Sequence, residues 1–399
     1  MKIIFLSIFS SCLVAGSVVA GTFEAEAGLE WRGFSEPGLY GQDQSRFSAR
    51  GEIGYEGSVF DGDYELRLFG RYDQKDDERT HADLREGSWV YVGSDWSFKA
   101  GVSKEFWGVV ESLHLVDIIN QTDGVEGVDN EDKLGQPMLK FSSEKEWGTL
   151  SLFWLPYFRE LSFPGPDGRL ALPLEVKVDD AMYESGAKAG HQDVAVRYSH
   201  YIDELEFAFS HFSGTGRQPL LVFNQNPMDP GFIPFYEQID QTGLESQYIY
   251  DAWLLKLEAL TNKGIGDRYA AAVGGFEYTQ VGIFDSYADL GWIVEYLFDE
   301  RKDDVSVIFE QDVFVGWRYA FNDADSSEIL FGGIFDTKTD ERIYSLEASQ
   351  RINSDLKVFV EAWVFEGLPK LSSTSLDPNQ KTQFLQTEDF IQIELVKYF

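Results

Sequence analysis

Five histidines, His81, His114, His191, His200 and His211, make up the whole imidazole inventory of this 399-residue chain. No G-x-S-x-G elbow and no H-E-x-x-H pair accompanies them, so neither serine-hydrolase nor zinc-protease geometry is signalled. His200 and His211 fall on adjacent expected strands and read as wall residues; a barrel hydrolase pairing one of them with a serine is the enzymatic alternative. The single thiol, Cys12, sits in an apolar leader, which leaves no disulfide and no thiolate metal site beyond it. Asp129, Glu131 and Asp132 supply the oxygen ligands that Ca²⁺ or Mg²⁺ would need, but the plainer reading is a solvated acidic loop. No cofactor, no dedicated metal site and no enzyme activity is expected.

The densest mixture of charged and apolar side chains is KEFWGVVESLHLVDIINQTDGVEGVDNEDKLG, residues 104–135. It is too long for a turn and too apolar for an ordinary exposed loop. Phe106, Val109, Val110, Leu113, Val116 and Ile119 include i+3 and i+4 spacings that predict a short amphipathic helix. Lys104, Trp107, Glu111, His114, Asp117 and Asn120 would then face whatever surrounds the segment. One reading is a constriction or plug inside a larger lumen, and the other is a packed element that stiffens the fold.

The elements that must position this segment are strands. In TFEAEAGLEWR, Phe23, Ala25, Ala27, Leu29 and Trp31 share one face while Glu24, Glu26, Glu30 and Arg32 share the other. The pattern recurs through RFSARGEIGYE, DYELRLFGRY, DVAVRYSH, ELEFAFSHF, DVFVGWRYAF and LKVFVEAWVF. Expected strands lie near 22–33, 45–57, 62–72, 82–93, 95–103, 136–144, 149–157, 192–201, 204–212, 235–246, 249–262, 267–280, 284–298, 303–321, 327–337, 341–352, 355–366 and 388–399. That makes eighteen. The pairs near 235–262 could merge and DAWLLKLEAL tolerates a helical reading, so sixteen stays open.

Segments of about 9–12 residues suit tilted strands that cross a bilayer. Tight turns alternate with long polar loops, and tryptophans and tyrosines gather at segment ends. The fold class predicted is therefore all-β: a transmembrane antiparallel β-barrel of 16–18 strands with an inward-folded loop or short helix. Residues 1–20, with Lys2, an apolar run and Val18-Val19-Ala20, read as a secretory signal peptide, leaving 21–399 as one barrel domain. A soluble, secreted β-rich binding protein is the alternative, in which the apolar faces would form a core.

A barrel of this size keeps a water-filled lumen. Arg50, Arg67, Arg71, Lys99, Lys140, Arg197, Arg318 and Arg351 are expected to line it, mixed with glutamates such as Glu258, Glu295, Glu347, Glu361 and Glu394. With 33 Lys+Arg against 68 Asp+Glu, nucleic acid is excluded as a partner, because phosphate binding needs a basic surface. The expected surroundings are outer-membrane lipid and lipopolysaccharide, with a periplasmic or inner-membrane transport partner as a further possibility.

The run DLREGSWVYVGSDWSFKAGVSKEFWGVVESLHLVDIIN resembles the signature of a Gram-negative outer-membrane, porin-like barrel family, similar in pattern to alginate-export-type barrels. The matching positions are Leu84-Arg85-Glu86, Gly101, Lys104, Trp107-Gly108 and Asp117-Ile118-Ile119-Asn120, with LFWLPYF, FSGTGRQP, GGFEYT and DFIQIELVKYF further along. The resemblance implies a channel that passes solutes across the outer membrane, as a selective or gated conduit. Gln121 stands where that pattern usually has proline, so the turn after the inner segment is expected to differ. The final strand, with Phe399 at its end, resembles the signal read by barrel-assembly machinery.

Overall fold

The structure is a computed structural model that describes residues 21–226, 228–301, 307–368 and 381–399. The expected leader, with Cys12, lies outside the described residues, as do 303–306 of the strand expected at 303–321 and 369–380 of the loop after Glu366. Eighteen strands form one closed antiparallel barrel. The ring closes where Thr22–Phe34 pairs with Phe390–Tyr398, placing Leu29 opposite Leu395 and Trp31 opposite Ile393. Closure satisfies the backbone groups that an open edge would expose to lipid.

Each strand follows the two-residue period of its sequence. Leu29, Phe47, Ile53, Leu66, Leu68, Phe141, Leu152, Val194 and Phe209 are exposed outward, whereas Glu30, Arg32, Ser48, Arg71 and Asp73 on the alternate positions are buried inward. An apolar outside around a polar inside is the surface of a membrane-spanning barrel. Aromatic pairs mark the strand ends, including Trp147 stacked on Tyr198 at 6.0 Å and Trp253 against Tyr278 at 4.6 Å.

Tight connections join strands at one end. Between Ser45–Val59 and Gly62–Asp73 only Phe60 and Asp61 intervene, with φ of 53° and 57°, the left-handed pair that matches the twist of a hairpin. The stretch expected to tolerate a helix is the strand Trp253–Lys263, and its neighbour Gln238–Tyr250 is separate from it. The strand expected to start at 303 begins at Gln311. At the other end, Met182–Tyr183, Leu220–Phe223 and Phe232–Tyr236 form a small sheet of their own in the long loops.

Of the inward-folded loop or short helix expected at 104–135, the structure has the loop. The segment folds inward and contains no helix, only irregular backbone, turns such as that at 123–126, and an isolated bridge between Thr122 and Lys133. The inner face of the barrel is also less polar than expected: Met138, Phe153, Ala195, Phe212, Val273, Ile293 and Leu297 all point inward and are buried. These two departures have one cause, the docking of the segment against the inner wall.

Candidate functional site: the segment across the lumen

The inner segment is held by carboxylates that the wall presents to its backbone. Glu258, on Trp253–Lys263 and 0% exposed, accepts hydrogen bonds from the amides of Val109 at 2.7 Å, Val110 at 3.1 Å and Val116 at 3.3 Å. Glu295, on Asp289–Asp299 and 1% exposed, accepts from the amides of Glu111 and Ser112, both at 2.8 Å, and from the Ser112 hydroxyl at 2.6 Å. A helix satisfies its amides with its own carbonyls. Here the wall satisfies them, so the apolar spacing builds a packed strap instead of a helix.

Apolar side chains complete the docking. Trp107, Val116, Ile118 and Ile119 pack with the inward Met138, Phe153, Leu155, Ala195, Phe212 and Ile239. Val110 joins Val273, Ile293, Leu297 and Phe314. Burying such side chains contributes roughly 1.5–3 kcal/mol each, which explains the apolar inward positions: they are a dock rather than a pore lining. Gly108 fits the same contact. Its φ is +152°, and a Cβ there would lie 3.0 Å from Glu258 Oε1 and 2.9 Å from His114 Nδ1.

Each expected residue of the segment has a definite place. Lys104 donates its amide to Glu86 at 2.8 Å. Trp107 is 2% exposed, with its ring edge-on to Phe153 at 5.5 Å. Glu111 reaches Arg318 at 2.7 Å. Asp117 is buried, accepting from the Trp107 amide at 3.3 Å and pairing with Lys133 at 3.1 Å; burial raises its pKa despite that lysine. Asn120 ties the two ends of the segment together, donating to the carbonyls of Ser103 at 2.9 Å and Leu134 at 2.8 Å and accepting from Glu105 N at 2.9 Å. Burial would lower the pKa of His114, but Glu131 and Glu258, each 3.9 Å away, overcome it and raise it to about 9.

Gln121, where proline was expected by resemblance, is 1% exposed and donates to the carbonyls of Arg217 at 2.9 Å and Arg159 at 3.2 Å. A proline could make neither contact. Arg217 answers by bonding the carbonyls of Ile118 and Ile119, both at 3.0 Å, and the Asp193 carboxylate at 3.0 Å. The segment is thereby pinned from the outer loops as well as from the wall.

The expected lumen cations all sit on inward positions, but most are already engaged. Arg71 binds Glu126 at 2.6 Å and Glu30 at 2.9 Å behind the segment, and Arg79 joins the same cluster through Glu30 and Asp73, both at 2.9 Å. Arg50 pairs with Glu26 and, at 2.6 Å, with Glu394; Arg67 pairs with Glu52 at 3.0 Å. Lys140 reaches Glu105 at 2.7 Å, Lys99 lies 3.8 Å from it, and Arg197 holds Glu245 at 2.7 Å. Arg351 lies near the hairpin turn, opposite Lys357. Phe399 donates its amide to Ala25 at 2.9 Å, extending the closing seam by one residue.

Among the histidines, His200 faces Phe207 across the strand pair and His211 faces Val196, so the two do not meet. His81 bonds Asp123 at 2.9 Å with Glu126 at 3.9 Å, a set of three potential metal ligands. Arg85 at 2.6 Å from Asp123 and Arg71 on Glu126 already fill that set with positive charge. Burial would raise the Asp123 pKa; His81 and Arg85 pull it down to about 2.

What remains open is a cavity of about 680 Å³ between the tip of the segment and the opposite wall. Its floor is Glu111–His114 and Val128–Glu131; its far side comes from the strands between Gln311 and Glu366 and from Phe390–Tyr398. The fold and this site define a large transmembrane β-barrel narrowed from within by one strap. No protein-family model matches the chain, and no curated protein matches it. Among solved structures, OccD3 (OpdP) of Pseudomonas aeruginosa superposes with a TM-score of 0.52 at 10% identity, covering 96% of this chain and 92% of that one. Salmonella typhi OmpF in complex with daunomycin gives 0.46 at 9% identity over 95% and 97% of the two chains. Pseudomonas putida OprB gives 0.44 at 10% over 95% and 94%. At 10% identity the likeness to OccD3 is one of fold.

Sequence reasoning placed Glu258 and Glu295 among lining residues and missed them as anchors. A signal was present: Glu295 lies between Ile293 and Leu297 on the inward face, and a carboxylate in an apolar row needs a donor brought to it.

Proposed function

We propose that the protein is an outer-membrane channel that passes small solutes, selective by virtue of a fixed strap rather than a gate. The observation that carries this reading is the pair of buried wall carboxylates, Glu258 and Glu295, holding the backbone of 109–116 inside a barrel that its own side chains do not otherwise fill. On this reading the path runs through the open cavity beside the strap. Lipid and lipopolysaccharide would surround the apolar belt, and barrel-assembly machinery would deliver the closing strand that ends at Phe399. A role as a conduit served by a periplasmic partner would require the strap to move, against these anchors.

The finer likeness to alginate-export-type barrels rests on short motifs, and the excess of carboxylates disfavours a polyanion by repulsion. The test combines outer-membrane fractionation and heat-modifiable migration with liposome swelling in uncharged sugars of graded size. Swelling that falls off with sugar size supports the channel; a detergent-free monomer in the soluble periplasm refutes it.

A further inference from the structure

The wall facing the strap carries acid pairs that a purely structural role does not explain. Directly opposed like charges in neighbouring strands destabilise a sheet, and two other acid pairs in this barrel are neutralised. Glu26 and Glu52 are cross-strand partners bound by Arg50 and Arg67, and Glu245 and Glu258 are bound by Arg197 and by the strap amides. Glu347 and Glu361 are also direct partners, in the middle of their strands and on the cavity. Among the described residues no lysine or arginine lies within salt-bridge distance of either. Glu361 takes only neutral donors, the Trp363 indole and Gln392 at 3.2 Å.

The pair has neighbours of two kinds. Nearer the long loops on the same wall, Asp312 and Asp336 form a second opposed acid pair without a lysine or arginine at salt-bridge distance among the described residues. On the strap side, Asp129 lines the same cavity and has no lysine or arginine at salt-bridge distance among the described residues. Of the positive charges near this space, Arg318 is answered by Glu111, His114 by Glu131 and Glu258, and Arg32, linked to Glu361 through Gln392, by Glu30, while the Lys357 ammonium lies 4.7 Å over the Phe359 ring. Flanking Glu361 on the inward face of its strand are Phe359 and Trp363, both on the cavity. Aromatic faces attract cations and also take apolar groups.

Resting on the channel reading above, we propose that the open side of the lumen is a path for small organic cations carrying an apolar body, with Glu347 and Glu361 as its selective point and Phe359 and Trp363 as the apolar contact. A passing ammonium group offsets the repulsion between the two carboxylates, while its hydrocarbon part slides along the rings. Neutral and anionic solutes of the same size gain neither interaction.

The test uses the full-length barrel in planar bilayers, with reversal potentials in gradients of benzylammonium chloride and of sodium benzoate. Wild type should prefer benzylammonium over benzoate. A carboxylate about 5 Å from a cation in a water-like medium changes its local concentration about fourfold, so Glu347→Gln with Glu361→Gln should lower the preference at least about fourfold. Both substitutions keep side-chain volume and remove a repulsion, and heat-modifiable migration checks that the variant folds. Phe359→Ala should reduce benzylammonium permeation with little change in the K⁺ to Cl⁻ ratio. An unchanged ratio in the folded double variant overturns the proposal, as does anion preference in wild type. Block of the K⁺ current by micromolar Ca²⁺, without benzylammonium passage, would assign the pair to an inorganic divalent ion instead. Absence of any current would defeat the channel reading itself, a failure separate from loss of selectivity.

Discussion

Replacing Glu258 and Glu295 together with alanine should free the strap while leaving the barrel closed. Glu258 accepts three backbone hydrogen bonds, and Glu295 accepts two from the backbone and one from a hydroxyl. Hydrogen bonds to charged groups contribute about 1.5–3 kcal/mol each, so either carboxylate, with three of them, holds the strap by about 4.5 kcal/mol at the low end. That corresponds to a docking equilibrium shifted by more than about 10³-fold. Water returning to the released amides offsets part of this, and the packed side chains of Trp107, Val110 and Val116 retain part of the docking. The expected outcome is a strap that samples undocked states, read as faster amide exchange at 109–116 and as larger, noisier single-channel currents. Heat-modifiable migration should persist, because the strand ladder is untouched. Wild-type exchange rates and quiet currents in the double variant would refute the assignment of these carboxylates as anchors.

Two further outcomes follow from the same contacts. The pKa of His114 is raised to about 9, so its charged contact with Glu131 and Glu258 is fully present below the ordinary histidine value of about 6.5 and is lost as pH climbs through 9; amide protection at the strap tip, measured relative to the intrinsic base-catalysed exchange rate, should fall between pH 8 and 10 in wild type and not in His114→Gln. Asn120→Ala removes three buried hydrogen bonds at the base of the strap and should cost about 3 kcal/mol at roughly 1 kcal/mol each, measured as a lower denaturant midpoint for loss of heat-modifiable migration.

The barrel was legible because its physics is local. A two-residue period, strand length and turn residues such as Phe60-Asp61-Gly62 act within a few positions, so most strand locations could be read directly and the strand number to within sixteen to eighteen. Residues 104–135 were legible as an insert that belongs inside, since they combine apolar side chains with no room on the outer face. Their backbone form was not. The i+3 and i+4 spacing of Val109, Val110, Leu113 and Val116 is what a helix shows, and only Glu258 and Glu295, about 150 to 180 residues away, divert the amides from one. The open charge balance of the lumen was hidden for the same reason: whether Arg71 meets solvent or Glu126 depends on where a distant loop lands.

The most direct measurement is planar-bilayer conductance of wild type beside a variant lacking residues 104–135. The account predicts a small, ohmic, cation-preferring current in wild type and a several-fold larger, weakly selective current once the strap is removed. A wild type without conductance, or a folded deletion variant with the same conductance, would contradict it.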